Sequence, residues 1–214
     1  MIVLNLKTYQ TSFDNALLFT DIASEVSSET GVRVIVCPPT AYLHEATERH
    51  SDIFAQHVDK NEAGAHTGSI PAALLKAVNV KGSLVNHSEK RIDYVKEAVE
   101  SLHINGLESI VCAATAKEAV AHTDFSPTFI AIEPPDLIGG SVSVSEADPN
   151  IILNSVKAVK EVNNKVSVLC GAGIGRKEDV QKAIELGSEG ILIASAFIKA
   201  EDHKVFLTEL ASVF

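Results

Sequence analysis

One short stretch of this sequence places a carboxylate where proteins with parallel sheets do their chemistry. Four apolar residues, 129–132, run directly into Glu133, and a wholly apolar run of this length is typical of a strand buried on both faces. Glu133 then lies at the carboxyl end of that strand. Two prolines and the pair Gly139-Gly140 follow, which fits a stiff exit and a hinged loop. The stretch predicts a catalytic carboxylate beneath a movable lid, although a solvated rim residue has the same pattern.

Other reactive side chains also follow predicted strands. Asn5 and Lys7 end the first strand, His87 follows the fourth, and the segments 171–174 and 194–195 follow the seventh and eighth. Each has an ordinary explanation as a structural histidine, a solvated lysine or a tight glycine turn. In a closed barrel, however, the carboxyl ends of all strands meet at one rim. Their convergence favours a catalytic site at that rim.

Hydrophobic periodicity divides the chain into eight strand–helix units that would position these residues. A helix is predicted over 14–28 with Asp14 as its N-cap, and another over 92–103. The predicted strands are 2–6, 32–36, 53–56, 83–85, 108–111, 128–132, 166–169 and 190–193. Eight units without a linker predict a single-domain (β/α)8 barrel of eight parallel strands over residues 1–214. A doubly wound sheet stays possible, because counting strands does not show closure.

Composition argues against several classes of partner. The chain has 18 basic and 28 acidic residues and a net charge of −10, which disfavours nucleic acid and anionic membranes as partners. A small anionic ligand remains compatible, because backbone N–H groups and one lysine can hold a phosphate.

The sequence carries no sign of export or membrane insertion. The first residues lack the features of a signal peptide, and no apolar run is long enough to span a membrane. Three widely spaced cysteines, Cys37, Cys112 and Cys170, do not suggest a disulfide framework. We therefore expect a cytoplasmic protein. The cysteines each end a strand, so a three-thiolate metal site is conceivable, although buried cysteine is commonly just a small hydrophobe.

Five segments at the predicted rim closely resemble motifs of the triosephosphate isomerase family, in its short archaeal form. They occur in the family's order and span nearly the whole chain. The segments are Asn5-Leu6-Lys7-Thr8-Tyr9, Asn86-His87-Ser88-Glu89-Lys90-Arg91, Ile132-Glu133-Pro134-Pro135-Asp136-Leu137-Ile138-Gly139, Cys170-Gly171-Ala172-Gly173-Ile174 and Leu192-Ile193-Ala194-Ser195.

The resemblance implies an aldose–ketose isomerase of glycolysis and gluconeogenesis that needs neither a metal nor an organic cofactor. Its substrates would be dihydroxyacetone phosphate and D-glyceraldehyde 3-phosphate, interconverted through an enediolate. Glu133 would be the general base and His87 the electrophile, with Lys7 and Asn5 beside it. We expect His87 to open a helix, whose positive end disfavours imidazolium. Glu89 would pair with Lys7, although a first-turn carboxylate that favours the helix dipole fits equally well.

The resemblance also implies how the phosphate is held. Backbone N–H groups of the lid and of two turns would bind it. The implied substrate- and phosphate-binding residues are Leu6, Ile138, Gly139, Gly171, Gly173, Ala194 and Ser195. The lid departs from the family's usual Ile-Gly-Thr-Gly, because Gly140-Ser141 follows Gly139. This departure bears on the kinetics of lid closure.

The loop 57–69 resembles the family's interdigitating loop. It implies a homo-oligomer, a dimer or a tetramer, in which Thr67 supports the neighbouring subunit's site. A solvated polar loop is the plain alternative, although long loops without secondary structure tend to be functional.

Two other functions remain open. A different phosphosugar enzyme on the same barrel is one, but a Schiff-base aldolase would want a buried lysine where Glu133 follows the sixth strand. A metal-dependent epimerase would want histidine and carboxylate ligands on several strands. A catalytically silent phosphosugar-binding protein is the other, and the joint presence of Lys7, His87 and Glu133 speaks against it.

Overall fold

The computed structural model of the protein describes residues 1–134 and 149–214. Eight parallel strands form one sheet in the order β2-β1-β8-β7-β6-β5-β4-β3. Their bounds are β1 Ile2–Asn5, β2 Val34–Cys37, β3 Phe54–Ala55, β4 Gly82–Val85, β5 Glu108–Ala113, β6 Phe129–Ile132, β7 Ser167–Cys170 and β8 Gly190–Ile193. Each predicted strand is present, with bounds that differ by no more than two residues.

The two ends of this sheet meet, which closes the barrel. Val36 of β2 forms a parallel bridge with Ile53, the residue before β3, and its N–H donates to the carbonyl of Asp52 at 2.9 Å. The prediction of a (β/α)8 barrel is confirmed, and the alternative of a doubly wound sheet is wrong.

The strands are buried on both faces because the barrel has two apolar layers. Alternate strand residues fill the barrel interior, and the residues between them pack against the helices outside. The interior cluster consists of Val3, Ile35, Cys37, Phe54, Leu84, Ile110, Cys112, Phe129, Ala131, Leu169 and Leu192. Glu133 continues the alternation of Phe129 and Ala131, so its side chain belongs to the inner face.

Helices surround the strands. They are α1 Gln10–Thr30, α2 Leu43–Thr47, α3 Ala72–Ala77, α4 Val95–Ile104, α5 Ala116–Thr123, α6 Pro149–Val162, α7 Lys177–Glu185, α8 Ser195–Ile198 and α9 His203–Ala211, and a 3-10 turn, Thr40–Tyr42, precedes α2. In the part of the chain that the structure describes, no helix combines the length and apolarity that crossing a bilayer requires.

The predicted start of α1 is wrong. The helix begins at Gln10 with Tyr9 as its N-cap, so Asp14 lies inside the helix, where it accepts a hydrogen bond from the Gln10 side chain. The apolar pattern did not predict the first turns of α1, because a polar residue, serine, occupies the buried position there. Ser12 is fully buried, and its hydroxyl donates to the carbonyl of Leu6.

Candidate active site

The predicted site residues surround two adjoining cavities at the carboxyl ends of the strands. Lys7 borders both cavities, which measure about 280 and 320 Å³. The first is also lined by Glu133, Gly171, Gly173, Ala194 and Ser195, together with Tyr9, Ile174, Gly175, Leu192, Ile193, Ala196 and Lys199. The second is also lined by Asn5, His87 and Glu89, together with Thr8, Thr40, Gln56, His57, Ile70 and Lys90. The barrel thus brings the predicted catalytic side chains to one rim.

Glu133 and His87 face each other in the interior of this site. Glu133 Oε1 lies 3.6 Å from His87 Nε2, and the two residues are only 3% and 5% exposed. Within the ranges 1–134 and 149–214, neither Glu133 Oε2 nor His87 Nε2 has a hydrogen-bond partner. Buried polar atoms are normally paired, so these two are suited to a ligand that enters the cavity.

A backbone hydrogen bond fixes the tautomer of His87. The N–H of Glu89 donates to Nδ1 of His87 at 3.2 Å, so Nδ1 is an acceptor and the proton of a neutral ring resides on Nε2. The prediction that His87 opens a helix is wrong, because α4 begins only at Val95. A tight turn follows the histidine instead, in which the Lys90 N–H donates to the His87 carbonyl at 2.8 Å.

Lys7 is held by three neighbours. Its backbone is left-handed, with φ of 48°, and its N–H donates to Asn5 Oδ1 at 3.0 Å. The Gln56 amide donates to the Lys7 carbonyl, also at 3.0 Å. Its ammonium pairs with Glu89 Oε1 at 2.7 Å, which is the expected pairing. The alternative for Glu89, a first-turn residue of a helix, is wrong because no helix covers residues 86–94.

Position 171 requires glycine, because the Glu133 side chain leaves no room for a Cβ atom there. A Cβ there would lie 2.6 Å from Glu133 Cγ, which is well inside van der Waals contact. On the other side, Cys112 lies near the Glu133 carboxylate. Burial, and then the nearby Glu133, raise the pKa of the Cys112 thiol well above its usual value. The thiol therefore stays protonated and adds no negative charge beside the carboxylate.

The other two cysteines are also buried, and burial raises the pKa of each thiol. All three are unpaired. Across residues 1–134 and 149–214, no three histidine, cysteine or acidic side chains lie close enough together to hold a metal ion, so the structure does not support the three-thiolate alternative.

The turns after β7 and β8 close the far side of the first cavity. Gly173 is left-handed, with φ of 72°, a conformation that glycine adopts without strain. Ala194 precedes α8, which begins at Ser195, so the first N–H groups of that helix have no partner within it. This side of the cavity therefore presents backbone donors, and Lys199 borders it.

Some of the predicted binding residues lie elsewhere. Leu6 borders neither cavity: its side chain is fully buried in the outer core, and its N–H and carbonyl bond to Cys37 and Ser12. Thr67 is exposed in the loop 57–69 and borders neither cavity. Ile138 and Gly139, with the whole predicted lid from residue 135 onward, lie outside the described residues.

Sequence analysis missed three residues that shape the site. Gln56 ends the predicted third strand, so the strand-end reasoning that found Lys7 also applies to it. Cys112 was interpreted as a small buried hydrophobe or as a ligand of a three-thiolate metal site, and its position near Glu133 depends on the pairing of β5 with β6. Asn86 precedes His87 with φ of 60°, and asparagine is among the few residues that adopt this conformation readily.

Comparisons with known proteins agree with one another. The family model described as triosephosphate isomerase matches residues 1–212. Curated triosephosphate isomerases include that of Methanothermus fervidus, 47% identical over 98% of this chain and 96% of the relative. That of Methanocaldococcus jannaschii is 42% identical over 98% of both chains. That of Archaeoglobus fulgidus is 43% identical over the full length of this chain and 97% of the relative.

Proposed function

The chain belongs to the triosephosphate isomerase family, and we propose that Glu133 and His87 carry out its reaction. This aldose–ketose isomerisation interconverts dihydroxyacetone phosphate and D-glyceraldehyde 3-phosphate in glycolysis and gluconeogenesis. A proton leaves a carbon next to the carbonyl, an enediolate forms, and a proton returns to the neighbouring carbon. The observation that carries the proposal is the buried pair, 3.6 Å apart, with one unpartnered polar atom each among the described residues.

Glu133 is the general base. Its carboxylate is buried, so substrate entering the cavity meets a base with little competing water, which strengthens electrostatic interactions. The neutral Cys112 thiol lies near this carboxylate. The described residues leave Oε2 without a partner, and this oxygen takes the substrate proton.

His87 is the electrophile. Because Nδ1 accepts from the Glu89 backbone, the ring presents an Nε2–H donor to the substrate carbonyl. A donor held where charge develops stabilises the enediolate without reorganising in the transition state. Lys7 adds a positive charge at the junction of the two cavities, and Glu89 and Asn5 hold it there.

The phosphate lies at the far side of the first cavity, on the backbone of Gly171, Gly173, Ala194 and Ser195. Residues that open a helix donate N–H groups to anions. The family resemblance implies that Ile138 and Gly139, which lie outside the described residues, also bind the phosphate.

The protein acts as a homo-oligomer, one barrel domain over residues 1–214 per subunit, in the cytoplasm. The support for an oligomer is the loop 57–69, whose two ends are clamped together by the bridge between Asp59 and Pro71. The exposed residues of this loop include Thr67, and we expect them to contact a second subunit. Sedimentation velocity at micromolar concentration tests this, and a monomer would contradict it.

A coupled assay with a chelator present tests the reaction and the base together. We expect rapid isomerisation by the wild-type protein. For Glu133→Gln, circular dichroism should show an intact fold, and kcat should fall by about 10²–10⁴-fold, the range that general base catalysis supplies. A folded, oligomeric wild-type protein without turnover would refute the proposal and favour a silent phosphosugar-binding protein.

A further inference from the structure

The alternation of inward- and outward-facing side chains along β4 is interrupted at Asn86, immediately before His87. In β4, Leu84 belongs to the barrel interior and Val85 to the outer layer, so strict alternation would direct residue 87 outward. Asn86 breaks the alternation with a left-handed backbone, φ of 60°. The catalytic histidine can therefore face Glu133 only while Asn86 keeps this conformation.

Side-chain hydrogen bonds hold Asn86 in place. The residue is 3% exposed. Its Oδ1 accepts from the Ile92 N–H at 3.2 Å, which spans the turn that contains His87. Its Nδ2 donates to the carbonyl of Cys112 and to Glu118 Oε1, both at 3.2 Å. His122 Nε2 also lies 3.3 Å from the same amide nitrogen, so Glu118 and His122 of α5 both contact Asn86 from outside the turn.

Several donors converge on Glu118. Besides Asn86, the Arg91 guanidinium bonds to both carboxylate oxygens, at 2.6 and 3.2 Å. The Ala114 N–H donates to Oε2 at 2.6 Å. Arg91 belongs to the same turn as His87. Glu118 therefore accepts hydrogen bonds from two residues of that turn, Asn86 and Arg91, and from Ala114, which follows β5.

Only a carboxylate can satisfy this set of partners. The Asn86 amide, the Arg91 guanidinium and the Ala114 N–H are all donors, and an ionised carboxylate is an acceptor at both oxygens. Burial raises the pKa of Glu118, but the bonds from Ala114 and Arg91 outweigh it, so the pKa lies below its ordinary value. Glu118 is therefore ionised throughout the neutral range.

We propose that Glu118 is a positioning residue for the isomerase reaction, which holds the turn 86–92 so that His87 Nε2 faces Glu133. This inference rests on the proposed function of His87 as electrophile. Glu118 itself does not border either cavity. It acts through Asn86 and Arg91.

The opposite end of β5 offers a matched control. Glu108 opens the strand and forms a two-point pair with Arg33, at 2.5 and 3.2 Å. The side chains of Glu108 and Glu118 are comparably exposed, 33% and 26%. Glu108→Gln therefore removes a similar pair at the end of the barrel away from the site.

The experiment compares Glu118→Gln, Glu118→Asp and Glu108→Gln with the wild-type protein. Glutamine presents an NH₂ group to donors, so we expect kcat and kcat/KM to fall together by about 10–100-fold, as displacement of a catalytic group does. Aspartate keeps the charge and should recover part of the loss. Glu108→Gln should lower Tm, because it removes the two-point pair with Arg33, while leaving kcat near the wild-type value.

A second readout does not depend on activity. In ¹⁵N-histidine NMR spectra, the His87 signals are identified by their loss in His87→Gln. We expect an Nε2–H tautomer in the wild type and in Glu108→Gln, and altered His87 signals in Glu118→Gln. If the His87 signals and kcat of Glu118→Gln match those of Glu108→Gln, the positioning role is refuted. An inactive wild type would refute the proposed function, while the NMR comparison would still decide whether Glu118 positions His87.

Discussion

Glu133 occupies a pocket whose walls are made by residues of the neighbouring strands. Gly171 approaches it from β7, and Cys112 approaches it from β5. Glycine at 171 leaves room for the carboxylate, and the Cys112 thiol lies near it. The neighbouring strands therefore define the space that the base occupies.

We expect Gly171→Ala to disable the base without unfolding the protein. The new Cβ would lie 2.6 Å from Glu133 Cγ, so the carboxylate must move. A misplacement of about 1 Å costs about 10²-fold in kcat. Gly175→Ala is the comparison variant at the same cavity, because its Cβ would meet nothing closer than Asp179 Oδ2 at 3.9 Å. Steady-state kinetics of both variants would measure the difference, and equal small losses would contradict this account of the pocket.

Reasoning from strand ends found Glu133, His87 and Lys7 but could not describe their neighbours. The tautomer of His87 depends on a turn whose bonds run within residues 87–90, and no apolar pattern reports such a turn. Glu118 lies 31 residues after His87 in the sequence, so only the pairing of β4 with β5 brings their segments together.

The strands act together as a layered core. Inner residues from β1 through β8 pack against one another inside the barrel, whereas the residues between them pack against the helices. Apolar runs made the strands predictable within two residues. Helix starts were less predictable, because Ser12 supplies a buried polar position in α1 and side-chain hydrogen bonds replace a helix after His87.

We expect Leu169→Ala in β7 to destabilise the barrel without altering substrate binding. Leu169 is fully buried in the interior cluster, and removing a buried leucine side chain costs about 2–5 kcal/mol in the free energy of unfolding. Urea unfolding measures this loss, and KM should not change because Leu169 borders neither cavity. A loss below about 1 kcal/mol would contradict a closely packed interior.

The whole molecule is an acidic barrel that places positive groups at its site. The net charge is −10, while Lys7 and Lys199 border the cavity that we assign to the phosphate. Closure through Val36 and Ile53 brings β1 close to β4, so that Lys7 and Glu89 can pair. Counting strands predicted the architecture and the family resemblance predicted the pairing of Lys7 with Glu89, whereas closure of the barrel appears only in three dimensions.

The protein should lose stability as the pH falls below about 6.5, the ordinary pKa of histidine. Burial lowers the pKa of His122, so below that pH the unfolded chain binds a proton that the folded chain does not. Unfolding is therefore favoured as the pH falls. Glu118 has a lowered pKa as well, and its contribution is lost at lower pH, below about 4.3.

Urea midpoints between pH 8 and pH 4 would measure this effect. His122→Asn should flatten the part of the curve just below the ordinary pKa of histidine and leave the more acidic part in place. A wild-type midpoint that rises from pH 7 to pH 5 would contradict the direction of these shifts.

The most direct test of the account is isomerisation in D₂O, followed by ¹H NMR. Proton abstraction by Glu133 leaves a carboxylic acid that exchanges with solvent while the enediolate exists. Glyceraldehyde 3-phosphate formed from dihydroxyacetone phosphate should therefore carry deuterium at C2 in a measurable share of the product, and Glu133→Gln should form almost none of this product. Rapid turnover by Glu133→Gln, with as much deuterium at C2 as in the wild-type product, would contradict Glu133 as the base.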